Sequence, residues 1–183
     1  MNKLSEREHD RQTAVHMRQH ALRSWADANV LAEIGSKCNA LLLRLLAVET
    51  LLKIVHAADV GATPSELQHA SIDRLFWCAS ASHQRAMMES LGFEPEGSNL
   101  ESADAILRSF GEHFVCARYQ SYVGDQDEVL DSEGLPLDSP WPEMMDAAKS
   151  EWSHTDDQRL DLLFGTLSKL TRGMLDDKVY WDY

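Results

Sequence analysis

An arginine and a histidine stand five residues apart and carry side chains that, brought together, can cleave RNA without a metal ion. The segment RSFGEH runs from Arg108 to His113, and RYQSY follows it from Arg118 to Tyr122. An imidazole can take the proton of a ribose 2′-hydroxyl, and a guanidinium can stabilise the charge that develops on the phosphate. Arg108 and His113 are therefore a candidate catalytic pair.

Helical geometry separates this pair. Residues five apart on a regular helix point about 140° away from each other, so Arg108 and His113 would lie on different faces. Asp104 and Glu112 each stand four residues from Arg108, which favours a surface ion pair as the alternative for the arginine. His113 would then be a partly buried core histidine. A helix break near Gly111, or a dimer that combines two motifs, would bring the pair together.

A second pair of residues could bind a metal ion. His16 and His20 are four apart in HMRQH and would share one face of a helix. A third ligand would come from His9 or His56. The alternative is two solvent-exposed histidines on an amphipathic helix.

A buried ion pair is the third candidate. Arg118 falls beside an apolar stripe, and a half-buried guanidinium needs an acidic partner. Glu49 is our candidate for that partner. Glu49 also precedes Lys53 by four residues, which is the favourable order for an ion pair along one helix.

The helices that would position these residues follow from apolar spacing and from helix-breaking residues. Residues 38–58, CNALLLRLLAVETLLKIVHAA, are apolar nearly all round and predict the central helix of a bundle. Residues 63–93 predict one broken or two short helices, with Ser82 as N-cap and Gly92 as the stop. The other predicted helices are Ser5 to Ile34, stopped by Gly35 and Ser36; about Leu100 to Tyr122; and about Asp156 to Leu175, with Thr155 as N-cap.

No alternation typical of strands is present, so the sequence predicts an all-α fold, an antiparallel bundle of about five helices. We expect one domain over residues 1–183. Its predicted parts are core helices (1–122), an acidic loop containing proline and glycine (123–154), the last helix (155–175) and an aromatic tail (176–183).

The charge of the chain excludes some partners. Thirty acidic residues face 17 basic ones, for a net charge of −13, which disfavours binding to duplex DNA and to anionic membranes. No signal-type segment or bilayer-length apolar run is present, so we expect a cytoplasmic protein. Cys38, Cys78 and Cys116 form no CxxC pair and are predicted to be small buried hydrophobic residues. No cofactor is predicted.

Three segments together resemble the HEPN superfamily of bacterial helical domains. They are LLAVETLLKIV (Leu45 to Val55), the histidine-containing LQHASIDRLF (Leu67 to Phe76) and a helix with F-x-x-x-R-Y (Phe114 to Tyr119). The resemblance covers roughly residues 10–125, and the last helix agrees only in type.

The resemblance implies a bundle of four or five helices that commonly dimerises. Many members of this superfamily are metal-independent ribonucleases of toxin–antitoxin or phage-defence systems with an R-x(4–6)-H motif, and others lack the motif and act as binding or scaffolding modules. Arg108 and His113 match the motif here. Arg118 and Tyr119 are the residues that look more like the family's arginine–tyrosine pair.

Three hypotheses about function follow. The first is a homodimeric ribonuclease with an RNA substrate and an antitoxin or other partner protein. The second is a non-catalytic HEPN-like module that binds a protein or nucleotide partner. The third is a metal-dependent helical-bundle enzyme that uses His16 and His20.

Overall fold

The computed structural model describes the backbone of residues 3–60, 71–93, 100–123 and 152–176, and their side chains except those of 3–8, 100 and 116–123. About 90% of the described backbone is helical and none of it forms a strand, which confirms the predicted all-α bundle. No helix in these segments is both long enough and apolar enough to cross a lipid bilayer. The helices are α1 (Lys3–Glu33), α2 (Lys37–Val60), α3 (Ile72–Trp77), α4 (Ala81–Ser90), α5 (Leu100–Val123) and α6 (His154–Asp176).

The turn between α1 and α2 forms where the sequence predicts a stop. Gly35 has φ +86°, a conformation that a side chain would strain. Its N–H donates to the carbonyl of Ala32 at 3.1 Å, and the N–H of Ser36 donates to the carbonyl of Leu31 at 2.8 Å. These two bonds satisfy carbonyls that the end of α1 would otherwise leave open, and they allow α2 to fold back.

The central helix is α2, as its composition predicts. It contacts α1, α3, α5 and α6. The face that α1 buries consists of small residues seven apart, Ala14, Ala21 and Ala28, all with no exposed surface. Small side chains let two helix backbones approach closely, so the larger residues of α2 fill the core. That core includes Leu45, Val48, Leu51, Leu52 and Val55 of α2.

The last helix returns to pack against the first. Arg11 donates to the carbonyl of Leu175 at 3.0 Å, and Arg18 donates to the hydroxyl of Thr171 at 3.3 Å. Farther along α1, the ring of Trp25 stacks on that of Phe164 with centroids 3.8 Å apart. Higher numbers on α1 meet lower numbers on α6, so these two helices are antiparallel.

Residues 71–93 form two short helices, the second of the predicted alternatives. The residue preceding α4 is Ser80, in extended conformation with ψ 153°, and the predicted N-cap Ser82 lies inside the helix. The stop at Gly92 is confirmed, since its φ is +82° and the N–H of Phe93 donates to the carbonyl of Met88 at 3.0 Å.

The last helix begins two residues earlier than predicted. Ser153, not Thr155, precedes it, and the Ser153 hydroxyl accepts the N–H of Asp156 at 3.3 Å. The Asp156 carboxylate accepts the N–H of Ser153 at 2.9 Å in return, which completes a capping box. Thr155 lies inside α6. Residues 124–151 of the predicted acidic loop, and 177–183 of the predicted tail, lie outside the described residues.

Candidate functional site

Arg108 lies on the solvent side of α5. The helix runs without a break through Gly111, so no break there brings Arg108 and His113 together. The Arg108 side chain is 66% exposed and its Nε is 2.8 Å from a carboxylate oxygen of Asp104, which confirms the predicted surface ion pair. The other oxygen of Asp104 accepts the indole N–H of Trp77 at 2.9 Å, which ties α5 to α3.

His113 lies in the core, which agrees with the alternative of a core histidine. It is 5% exposed. Its Nδ1 donates to the carbonyl of Ser109 at 2.8 Å, and its ring packs against the edge of Trp152, with centroids 4.9 Å apart. Trp152 also contacts Phe110, at 5.6 Å between ring centroids. His113 is therefore part of the packing between α5 and the start of α6.

One chain does not bring the two motif residues together. Arg108 extends into solvent from one face of α5, and His113 is enclosed on another, as the 140° separation predicts. A shared cleft would need His113 to leave Ser109 and Trp152. Catalysis by this pair stays a prediction.

Glu49 is buried in α2 with its predicted neighbour. It is 7% exposed, and its carboxylate lies 2.9 Å from the ammonium nitrogen of Lys53, which confirms the predicted ion pair. The side chains of Arg118 and Tyr119 lie outside the described residues, so the pairing of Glu49 with Arg118 stays a prediction.

The histidines of α1 face solvent. His9, His16 and His20 are all exposed. His56, on α2, is half-buried with an Nδ1 that has no hydrogen-bond partner among the described residues. Across the described segments no three His, Cys, Asp or Glu side chains are placed to hold a metal ion together. The predicted third ligand, His9 or His56, is therefore not assembled with His16 and His20 within one chain.

A cluster that the sequence did not reveal joins the end of α2 to the start of α4. The two oxygens of Asp59 lie 2.9 Å from Nδ1 of His83, and one of them accepts the backbone N–H of Ser80 at 2.7 Å. Burial raises the pKa of Asp59, but hydrogen bonds from His83 and Ser80 and the charge of His83 outweigh it and lower that pKa.

The geometry of this cluster favours a structural role. The Ser80 hydroxyl lies 2.8 Å from Nδ1 of His83, the same nitrogen that contacts Asp59. In a nucleophile–histidine–acid relay the hydroxyl and the carboxylate bind different ring nitrogens. The cluster therefore anchors α4 to α2, and we name Asp59, Ser80 and His83 the α2–α4 clasp.

The cysteine prediction is wrong for one residue. Cys78 is exposed at the end of α3, because the chain turns there before α4 begins. Cys38 is half-buried near the start of α2, and the side chain of Cys116 lies outside the described residues. Apolar neighbours in sequence do not ensure burial at a helix end.

Comparisons with models of protein families, with curated proteins and with solved structures find no match to this chain. The resemblance to the HEPN superfamily therefore rests on the three sequence segments alone. The structure adds the positions of Arg108 and His113 on α5. These positions bear on the choice between a catalytic and a binding function.

Proposed function

We propose that this protein is an HEPN-like helical module that binds a partner protein and does not cleave RNA. The observation that carries the proposal is the enclosure of His113 between Ser109 and Trp152. A general base must come within hydrogen-bond distance of the proton that it takes. A histidine that is 5% exposed and packed against the ring of Trp152 cannot reach a ribose hydroxyl from where it lies.

The surroundings of Arg108 support the same proposal. Its guanidinium is paired with Asp104, so its charge is partly neutralised before any phosphate arrives. Arg108 and His113 also lie on different faces of α5, so one chain by itself does not form a cleft that contains both.

The charge of the chain favours a basic protein as the partner. The net charge is −13, and residues 124–151 alone contain nine acidic residues and one lysine. A chain with this balance of charge repels phosphate backbones and attracts cationic partners, most strongly at low ionic strength. We therefore expect a partner whose contact surface is rich in Lys and Arg.

The first experiment tests catalysis and structure together. Purified wild type should leave RNA intact in the presence of EDTA. His113→Ala should lower the free energy of unfolding by about 2 kcal/mol, because the core loses a packed ring and a hydrogen bond. Arg108→Ala should change it by less than about 0.5 kcal/mol, as should Arg172→Ala, a matched control with the same spacing to an exposed acid, Asp176.

The proposal is contradicted if the wild type cleaves RNA and if both Arg108→Ala and His113→Ala abolish this cleavage while circular dichroism shows both variants fully folded.

The partner is tested by capture from lysates with and without nuclease treatment, each at low and high salt. A basic protein that high salt releases supports binding through charge. Capture that survives high salt, or that needs intact RNA, argues against it.

A further inference from the structure

A line of exposed polar side chains runs along α1 on the side away from the core. With 3.6 residues per turn, His9, His16, His20 and Asp27 lie within about 20° of a single line along the helix. All four are exposed. We name these residues the α1 stripe. The buried residues of α1, such as Ala21, face a different direction, toward α2 and α6.

We propose that His16 and His20 form half of a binding site for a divalent transition-metal ion, and that the same pair from a second copy of this chain completes it. Side chains four apart on a helix have Cβ atoms about 6 Å apart, so two imidazoles can converge on one ion. Zinc takes four ligands in a tetrahedron, and imidazole nitrogen also suits copper and nickel.

The incomplete ligand set is what points to a second copy. The described part of one chain places no third His, Cys, Asp or Glu beside His16 and His20. Two copies related by a two-fold axis present identical surfaces to each other, so each would supply one pair of histidines and together they would supply four.

The environment of His20 suits a metal ligand. Its Nδ1 lies 3.5 Å from the hydroxyl of Ser24, which is 6% exposed and fixed in the packed side of α1. When Nδ1 of a metal-binding histidine donates to a neighbouring oxygen, Nε2 is left to bind the metal. The proposal assigns this supporting role to the hydroxyl of Ser24 beside His20.

The stripe is also complementary to itself in one register. A two-fold axis midway between His16 and His20 makes two α1 helices antiparallel and places His9 of one copy opposite Asp27 of the other. An acid opposite an imidazole favours that register. Without a metal, the polar stripe buries no apolar surface and the charge of −13 on each copy opposes association, so the ion should decide whether the two copies meet.

This site is independent of the proposed function, because it lies on α1 and uses none of the residues of α5. The test uses the full chain without a polyhistidine tag. Sedimentation velocity in zinc chloride should show twice the mass found in EDTA, with one zinc ion for every two chains. His16→Ala and His20→Ala should each abolish the doubling, and EDTA should reverse it in the wild type.

His154→Ala is the matched control, since His154 is an exposed histidine at the start of α6, and it should behave as the wild type. Asp27→Lys should weaken the zinc-dependent dimer by about two- to fivefold, and adding His9→Glu should restore it. Doubling that persists in His16→Ala and His20→Ala, or one zinc ion bound per chain with no change in mass, would overturn the proposal. If the double variant Asp27→Lys with His9→Glu dimerised in zinc as weakly as Asp27→Lys alone, the antiparallel register would be wrong.

Discussion

Several buried polar side chains of the described segments have a partner that accounts for their position. Thr171 donates to the carbonyl of Leu167 at 2.8 Å, and Glu49 pairs with Lys53. Asp59 goes further, since its carboxylate is held by both a ring nitrogen and a backbone N–H of the α2–α4 clasp. A carboxylate that accepts several hydrogen bonds in a nearly enclosed site contributes stability that depends on its remaining charged.

We expect Asp59→Asn to lower the free energy of unfolding at neutral pH by about 1–3 kcal/mol, because the clasp loses its charge. The folded pKa of Asp59 lies below its unfolded value, which is near 3.8. Its contribution is therefore fully present above pH 3.8 and disappears as the pH falls through the lower folded pKa. Urea unfolding at several pH values should show the gap between wild type and variant closing only in that acidic range.

The exposed acid Asp27 provides the control for this measurement, and Asp27→Asn should follow the wild type at every pH. If the gap between wild type and Asp59→Asn were the same at pH 7 and pH 3, the charge of Asp59 would not be what holds the clasp.

Sequence reasoning succeeded for residues whose surroundings lie on one helix. The separation of Arg108 from His113, the pair Arg108–Asp104 and the pair Glu49–Lys53 all follow from helical spacing. It missed the clasp because Asp59 and His83 are 24 residues apart on different helices, and no periodic pattern connects them. The same reason hid Trp152 as a neighbour of His113.

At the scale of the helices, the apolar patterns located the elements and the local capping chemistry set their ends. Both glycine stops, Gly35 and Gly92, were predicted because a positive φ requires a residue without a side chain. The start of α6 was predicted two residues too late, because Thr155 and Ser153 are both plausible N-caps. In the structure Ser153 is the cap, and Asp156, three residues after it, closes the capping box.

The two candidate caps give a matched pair of variants. Ser153→Ala should lower the free energy of unfolding by about 1 kcal/mol, because the N–H of Asp156 loses its hydroxyl acceptor. Thr155→Ala, two residues into the helix and exposed, should change it by less than about 0.5 kcal/mol. Thermal unfolding followed by circular dichroism measures both. A larger loss for Thr155→Ala would mean that α6 begins at the later residue.

Substitution by alanine should change the free energy of unfolding in opposite directions at a glycine that ends a helix and at a glycine inside one. Gly92→Ala should destabilise the protein by about 1–2 kcal/mol, since φ is +82° there although space for a methyl group exists. Gly173→Ala should stabilise it by about 0.5–1 kcal/mol, because Gly173 is exposed within α6 and an added Cβ meets nothing within 4 Å. Chemical denaturation compares the two. Equal effects of the same sign would contradict the assigned backbone conformations.

At the scale of the whole molecule, α6 shares one hydrophobic core with helices that lie far from it in the sequence. It packs on α1, α2 and α4, and Leu160, Leu163 and Leu167 have no exposed surface. Arg44 of α2 lies 3.5 Å from Asp157 and also sits over the ring of Trp25, at 5.4 Å from its centroid. Contacts between distant parts of the chain make local unfolding of α6 costly.

We therefore expect α2 and α6 to unfold in a single cooperative transition. Leu167→Ala should lower the free energy of unfolding by about 2–5 kcal/mol, the cost of a cavity in a packed core, and Leu51→Ala on α2 should cost a similar amount. Leu162→Ala is the control on the same helix, because its side chain is 54% exposed and its loss leaves no cavity. Circular dichroism and tryptophan fluorescence should report coincident transitions in urea for all three variants. The opposite result would be two separate urea transitions in Leu167→Ala, with Leu51→Ala shifting only the one at higher urea. That result would mean that α6 unfolds independently of the helices before it.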